Sequence, residues 1–286
     1  MRKISREVMK MKKIFAALLA LCLVPALPCR AQERQPLPVV MYHHVSKNPS
    51  QWNDYVVSPE ELESDLRYFR DNGWQSVSVA QLVSWSRGEW EMPEKPFMIT
   101  FDDGFESTLA YAEPLLEVYG FCAGVAVIGS VCTRFSQLDE HYPELSNMSW
   151  EDAAQLSRRG TVEVQCHTWD MHSLSPRRGC NRMPGESTEH YDAALRADLQ
   201  KFLDAAEENG VSLTMSLAFP YGEYCEQAQC ILRDMGFLAS FTCDERVNLL
   251  ERDPDALFGI ARYNRPHGAE PEMFYKKWES ALDNAG

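Results

Sequence analysis

The spacing of apolar residues changes repeatedly along this chain. Residues 38–42, Pro-Val-Val-Met-Tyr, form an apolar run without polar alternation, the pattern of a strand covered on both faces. Apolar side chains then recur at helical spacing, at Leu62, Leu66 and Phe69. Ser58 caps that segment, Pro59 suits its first turn, Glu61 completes a capping box and Gly73 ends it, so a helix is expected here. The alternation continues with WQSVSV before a helix from Ala80, FMITF before a helix near Ser107–Tyr119, CAGVAVIG before a helix opened by Ser149, and TVEVQC before a long helix from about Ser187 to Asn209. LTMSLAF then precedes a helix near Glu226–Met235, and FLASFT, a strand near Leu257–Ala261 and a helix from Pro271 follow.

Strands and helices in this alternation build parallel βαβ units. The expected fold class is α/β, a single parallel (β/α) barrel of distorted seven-stranded (β/α)7 form, closed or nearly so, rather than an open sheet. In such a barrel every strand opens its C-terminal end on one rim. Unusual polar residues fall at those ends: His43 and His44 after the first strand, Asp102 and Asp103 after FMITF, His167 after TVEVQC, Pro220 and Tyr221 after LTMSLAF. Four segments distant in sequence thus converge on one mouth.

Two carboxylates directly after a buried strand need a cation, donors or solvent, because unpaired buried charge is costly. One Asp capping the next helix beside an exposed neighbour is the plainer alternative. His167 and His172 are five residues apart, too far to share one face of a straight helix, so they belong to a turn. Two neutral imidazoles with one carboxylate suit zinc or a similar divalent ion and leave positions open.

TFDD (residues 100–103), HTWDMH (167–172) and FPYG (219–222), in this order, resemble the motifs of the polysaccharide deacetylase family, the carbohydrate esterases of the nodulation-factor deacetylase type. The similarity covers most of residues 38–265, and the MYHHV segment resembles the branch with poly-N-acetylglucosamine deacetylases. The resemblance implies Asp102 as catalytic base and Asp103, His167 and His172 as metal ligands. It implies a general acid at His43, with His44 its local rival, since strand alternation lets only one of the two point into the mouth. It also implies that Tyr221, following Pro220, helps bind the oxyanion through its backbone N–H while its ring lines the groove. Trp169 is a candidate for stacking on sugar. Many relatives carry an Arg two residues before that Pro, where this chain has Ala218; Arg262, in the late IARYN segment, is the candidate replacement. Zinc is the expected metal, with nickel, cobalt and iron compatible with the same ligands.

The bulk properties refine this picture. Lys12-Lys13, a short apolar run and Arg30-Ala31 read as a secretory signal peptide over residues 1–31, leaving 32–286 as the catalytic domain of a secreted or cell-envelope protein. No later run approaches the length of a membrane span. Of 28 basic and 42 acidic residues, that leader removes seven basic and one acidic, which deepens the formal charge from −14 to −20. Nucleic acid is thereby excluded as a partner, and an N-acetylated polysaccharide or oligosaccharide fits. Seven cysteines follow the leader, with Cys225/Cys230 or Cys122/Cys132 as candidate bridges and at least one thiol left over. Residues 175–190 read as a long loop beside His172. No repeat or coiled coil is visible, and a monomer is expected. The main functional expectation is hydrolysis of the acetamide of N-acetylglucosamine-type residues. A non-catalytic glycan-binding protein on the same scaffold, or a deacetylase of another substrate such as xylan, are the alternatives.

Overall fold

The computed structural model describes residues 34–138 and 141–283; the expected signal peptide lies outside the described residues. Nine strands build the main sheet: β1 (Val39–Tyr42), β2 (Gln75–Ser76), β3 (Pro96–Phe101), β4 (Ala123–Val127), β5 (Val162–Cys166), β6 (Leu213–Ala218), β7 (Ala239–Phe241), β8 (Phe258–Ile260) and β9 (Tyr263–Asn264). Eight lie in the order β8-β7-β6-β5-β4-β3-β1-β9, all parallel, and β2 pairs with the start of β3. They curl through 236° inside a layer of helices, which bears out the parallel (β/α) barrel, with eight strands along the curl. The two edge strands, β8 and β9, follow each other in the chain, so Ala261 and Arg262 cross the seam where the sheet does not close.

The helices are α1 (Pro59–Asp71), α2 (Val79–Ser86), α3 (Glu113–Tyr119), α4 (Gly129–Leu138), α5 (Trp150–Arg159), α6 (Thr188–Glu208), α7 (Glu226–Asp234) and α8 (Pro271–Asp283). The capping box opening α1 is formed: Glu61 N donates to Ser58 Oγ and Ser58 N to Glu61 Oε2. Ser149 and Asp152 do the same at α5. The sequence reading missed α4, because its GSVCTRFSQL sequence carries neither a clear cap nor a clean apolar stripe.

Both faces of the strands are buried. Alternate residues such as Ile99, Phe101, Val125, Val127, Val164 and Leu217 pack outward against the helices. Their neighbours Val39, Met98, Ala126, Ala218, Ala239 and Phe241 form a second cluster that includes α2. Each fully buried aliphatic or aromatic side chain contributes about 1.5–3 kcal/mol. At the start of β5 the Glu163 carboxylate accepts from Val79 N at 2.7 Å and Ala80 N at 3.0 Å, the free N–H groups at the first turn of α2. A rigid scaffold therefore stands behind the rim.

All seven described cysteines are unpaired, so neither expected bridge forms. Cys225 caps α7 and Cys230 lies five residues on in the same helix, on another face. Cys132 is buried on α4, whereas the Cys122 sulfur lies 3.3 Å from Ser76 Oγ.

Candidate active site

The strands end in register: Tyr42 pairs with Phe101, Val127 with Cys166, and Ala218 with Phe241. The residues just beyond, including His43, Asp102, His167 and Phe219, therefore emerge on one rim. A cavity of 1060 Å³ opens there, lined by His43, His44, Asp102, Asp103, His167, His172 and Tyr221. Among the described residues the non-glycine positions with left-handed backbone are Asp103 (φ 67°), Thr168 (φ 68°) and Tyr221 (φ 59°). Each costs of order 1–3 kcal/mol, and such strain collects at functional sites. Here it turns the chain sharply after β3, β5 and β6, at the rim.

Asp103, His167 and His172 form one cluster. Asp103 Oδ1 lies 3.4 Å from His167 Nε2 and 3.1 Å from His172 Nε2, and all three donor atoms fall within 4.8 Å of one another. His167 Nδ1 donates to the Ala218 carbonyl at 2.8 Å, which fixes the tautomer that turns Nε2 to the cluster. The Tyr221 hydroxyl lies 3.1 Å from His172 Nδ1. Burial works to raise the Asp103 carboxyl, yet hydrogen bonds to both imidazoles hold it well below the usual carboxylate range. Two nitrogens and an ionised oxygen at these separations fit a tetrahedral divalent ion about 2.1 Å from each donor, with a position left for water or substrate.

Asp102 points to different company. Its carboxylate receives Arg262 Nη1 at 2.7 Å and Nη2 at 2.8 Å, a bidentate pair with both side chains buried. Arg262 Nε donates to Thr242 O at 2.9 Å, and Nη1 reaches Thr100 Oγ1 at 3.3 Å. Burial would raise the Asp102 carboxyl, but the Arg262 charge beside it leaves it lowered. Ala218 packs in the second cluster.

The two adjacent histidines part ways. His44 Nε2 donates to Glu144 O at 3.3 Å, and His44 Nδ1 lies 2.9 Å from Ser107 Oγ, which also accepts from Val45 N. Both ring nitrogens are thus engaged, with the ring against Phe105. His43 faces the Asp102 side, its ring edge-on to Tyr55 at 5.0 Å, and its buried Nδ1 has no protein partner. Burial lowers the imidazole of His43 against the pull of Asp102 and Asp103.

Pro220 and Tyr221 form a tight turn after β6, and Tyr221 is 40% exposed beside His172. Trp169 is not among the cavity-lining residues. Its ring fills the space above Gly129, where an added Cβ would lie 2.6 Å away, and Lys201 Nζ sits 4.4 Å over its centre. The structure thus places Trp169 on the helix side of its loop and Tyr221 on the cavity side. Sequence reasoning missed Tyr55, Leu174, Arg178, Cys243, Glu245, Asn264 and Lys277, which also line the cavity. Cys243 follows the end of FLASFT and was open to the same strand-end rule; the loop residues Tyr55, Leu174 and Arg178 carried no such signal.

The fold and site define a (β/α)-barrel protein whose rim brings an Asp-His-His cluster, able to hold a divalent cation, beside an Arg-held carboxylate. Residues 90–240 match the sequence profile of the family described as polysaccharide deacetylase. The chain belongs to the polysaccharide deacetylase family. The poly-β-1,6-N-acetyl-D-glucosamine N-deacetylase of Escherichia coli K12 is 30% identical over 138 residues, covering 46% of this chain and 20% of that protein. The putative polysaccharide deacetylase YxkH of Bacillus subtilis is 24% identical over 211 residues, covering 73% and 64%. The chain therefore spans less than two thirds of the length of either relative. Among solved structures, IcaB from Ammonifex degensii superposes with a TM-score of 0.66 at 24% identity over 87% of this chain and 97% of that one. A de-N-acetylase from Aggregatibacter actinomycetemcomitans gives 0.69 at 20% identity over 88% and 100%. At such identities the likeness is one of fold.

Proposed function

We propose that this protein is an exported, metal-dependent N-deacetylase that hydrolyses the acetamide of N-acetylglucosamine residues in a poly-β-1,6-linked glycan, working as a single chain. The observation that carries this reading is the Asp103–His167–His172 cluster on the same rim as a separate carboxylate, Asp102, that Arg262 keeps ionised. The printed activity of the E. coli relative supports the acetylated glycan as substrate, and the apolar run at residues 14–27 supports export.

Asp103, His167 and His172 would hold the divalent ion, zinc by default, which supplies Lewis acidity toward the acetyl carbonyl and a more acidic water. Asp102 takes the proton of the attacking water; the Arg262 fork sets the direction of its lone pairs. His43 delivers a proton to the departing amide nitrogen, which as an unprotonated amide is a poor leaving group. The N–H of Tyr221, aimed by its left-handed backbone, donates to the developing oxyanion. Its ring and that of Tyr55 offer apolar faces to the sugar.

The test is acetate release from β-1,6-linked and β-1,4-linked N-acetylglucosamine oligomers by the purified chain, with chelator and after zinc is restored. Release from the β-1,6 oligomer that disappears with chelator and returns with zinc is the expected result. A protein that binds zinc and either oligomer yet frees no acetate would overturn the reading in favour of glycan binding.

A further inference from the structure

Helix α6 carries a residue that its own pattern does not account for. Its buried stripe runs through Tyr191, Leu195, Leu199, Phe202 and Ala206, and the helical period puts residue 198 beside Leu199 on the flank of that face. Aspartate stands there, mid-helix, where Asp is a poor helix former. Its two oxygens are both used. Asp198 Oδ1 accepts from Trp169 N at 2.8 Å and Oδ2 from Asp170 N at 2.9 Å. These are consecutive N–H groups of the short loop between His167 and His172.

The rest of that loop is tied from the opposite side. Gly129 N and Ser130 N, at the first turn of α4, donate to Thr168 O at 3.1 Å and Trp169 O at 2.9 Å. Ser130 Oγ reaches Asp170 Oδ1 at 3.0 Å, and Met171 N reaches Thr168 Oγ1 at 3.1 Å. The anchors on the α4 side hold two carbonyls and the Asp170 side chain, and Asp198 takes the N–H groups of Trp169 and Asp170. Without it those N–H groups would turn to solvent, and the loop with its left-handed Thr168 would be held from the α4 side alone.

The geometry points to Asp198 as a positioning residue that presets the His167–His172 spacing, so that the cation finds its ligands already converged. The inference rests on the metal reading above. A charge-assisted bidentate acceptor is stronger than a neutral one, so Asp198→Asn, which keeps a single acceptor oxygen, gives an intermediate effect and Asp198→Ala a full one.

The experiment has two arms on the full chain. In metal-free protein, amide hydrogen exchange at residues 168–172 is compared in wild type, Asp198→Asn and Asp198→Ala, with the β4 and β5 amides as the control for global folding. Exchange faster by an order of magnitude confined to the loop is expected, graded Ala over Asn. In the second arm, zinc affinity is measured by chelator competition, and a loss of about 10–100-fold is expected, the usual effect of removing a partner behind metal ligands. Loop exchange unchanged in Asp198→Ala, or affinity within twofold of wild type, would overturn the inference. Wild-type protein that binds no zinc would instead defeat the metal reading and, with it, the presetting role, while the exchange arm alone would still show whether Asp198 holds the loop.

Discussion

Arg262 meets Asp102 through two hydrogen bonds, 2.7 and 2.8 Å long, at a point where both side chains are shut off from solvent. Breaking a buried pair by removing one partner leaves an uncompensated charge, at a cost of about 3–5 kcal/mol. Arg262→Ala should therefore lower stability by that order in denaturant unfolding. Removing both charges, Arg262→Ala with Asp102→Asn, should cost less than the sum of the single changes. Additive losses would show that the pair is not coupled.

The same pair has a signature in acid. The folded pKa of Asp102 is below its ordinary value, so the ionised carboxylate stabilises the fold fully above the unfolded value of about 3.9 and that contribution is lost as pH falls through the lower folded value. The melting temperature of wild type should drop more steeply below about pH 4 than that of Asp102→Asn. Parallel curves would mean that Asp102 titrates alike in both states.

Asp103→Ala should abolish both zinc binding and turnover, because it removes the oxygen that sits against both imidazoles. Asp102→Asn should keep the metal and lower kcat by about 10²–10⁴-fold, the usual weight of general base catalysis. Undiminished kcat in Asp102→Asn would take that residue out of its assigned role.

The adjacent histidines should separate cleanly. His43→Ala should depress kcat with little change in melting temperature, since its Nδ1 has no protein partner to lose. His44→Ala should instead destabilise by about 1–3 kcal/mol, because Ser107 and Glu144 lose their partner. A stability loss in His43→Ala with normal turnover would reverse the assignment.

Much of this was legible in the chain. Apolar runs without alternation marked strands buried on both faces, and the capping box at Ser58 and the serine at 149 marked helix starts. The strand-end rule then put Asp102, Asp103 and His167 on one rim, because register in a parallel sheet follows from strand order. The missing parts were those that depend on loops and on side-chain direction. Nothing in the sequence said that Thr168 would turn Trp169 toward α6, or that Tyr55 would enter the cavity from the segment after β1. Asp198 did leave a trace, a carboxylate beside an apolar stripe, readable only by asking what a half-buried mid-helix Asp accepts.

The seam at Ala261–Arg262 also sets how much of the chain the site needs. The guanidinium that holds Asp102 arrives where the sheet fails to close, from beyond the segment 90–240 that matches the family profile. The charge over the carboxylate therefore depends on residues outside that segment, so a chain cut back to 90–240 would leave the Asp102 carboxylate without its guanidinium partner.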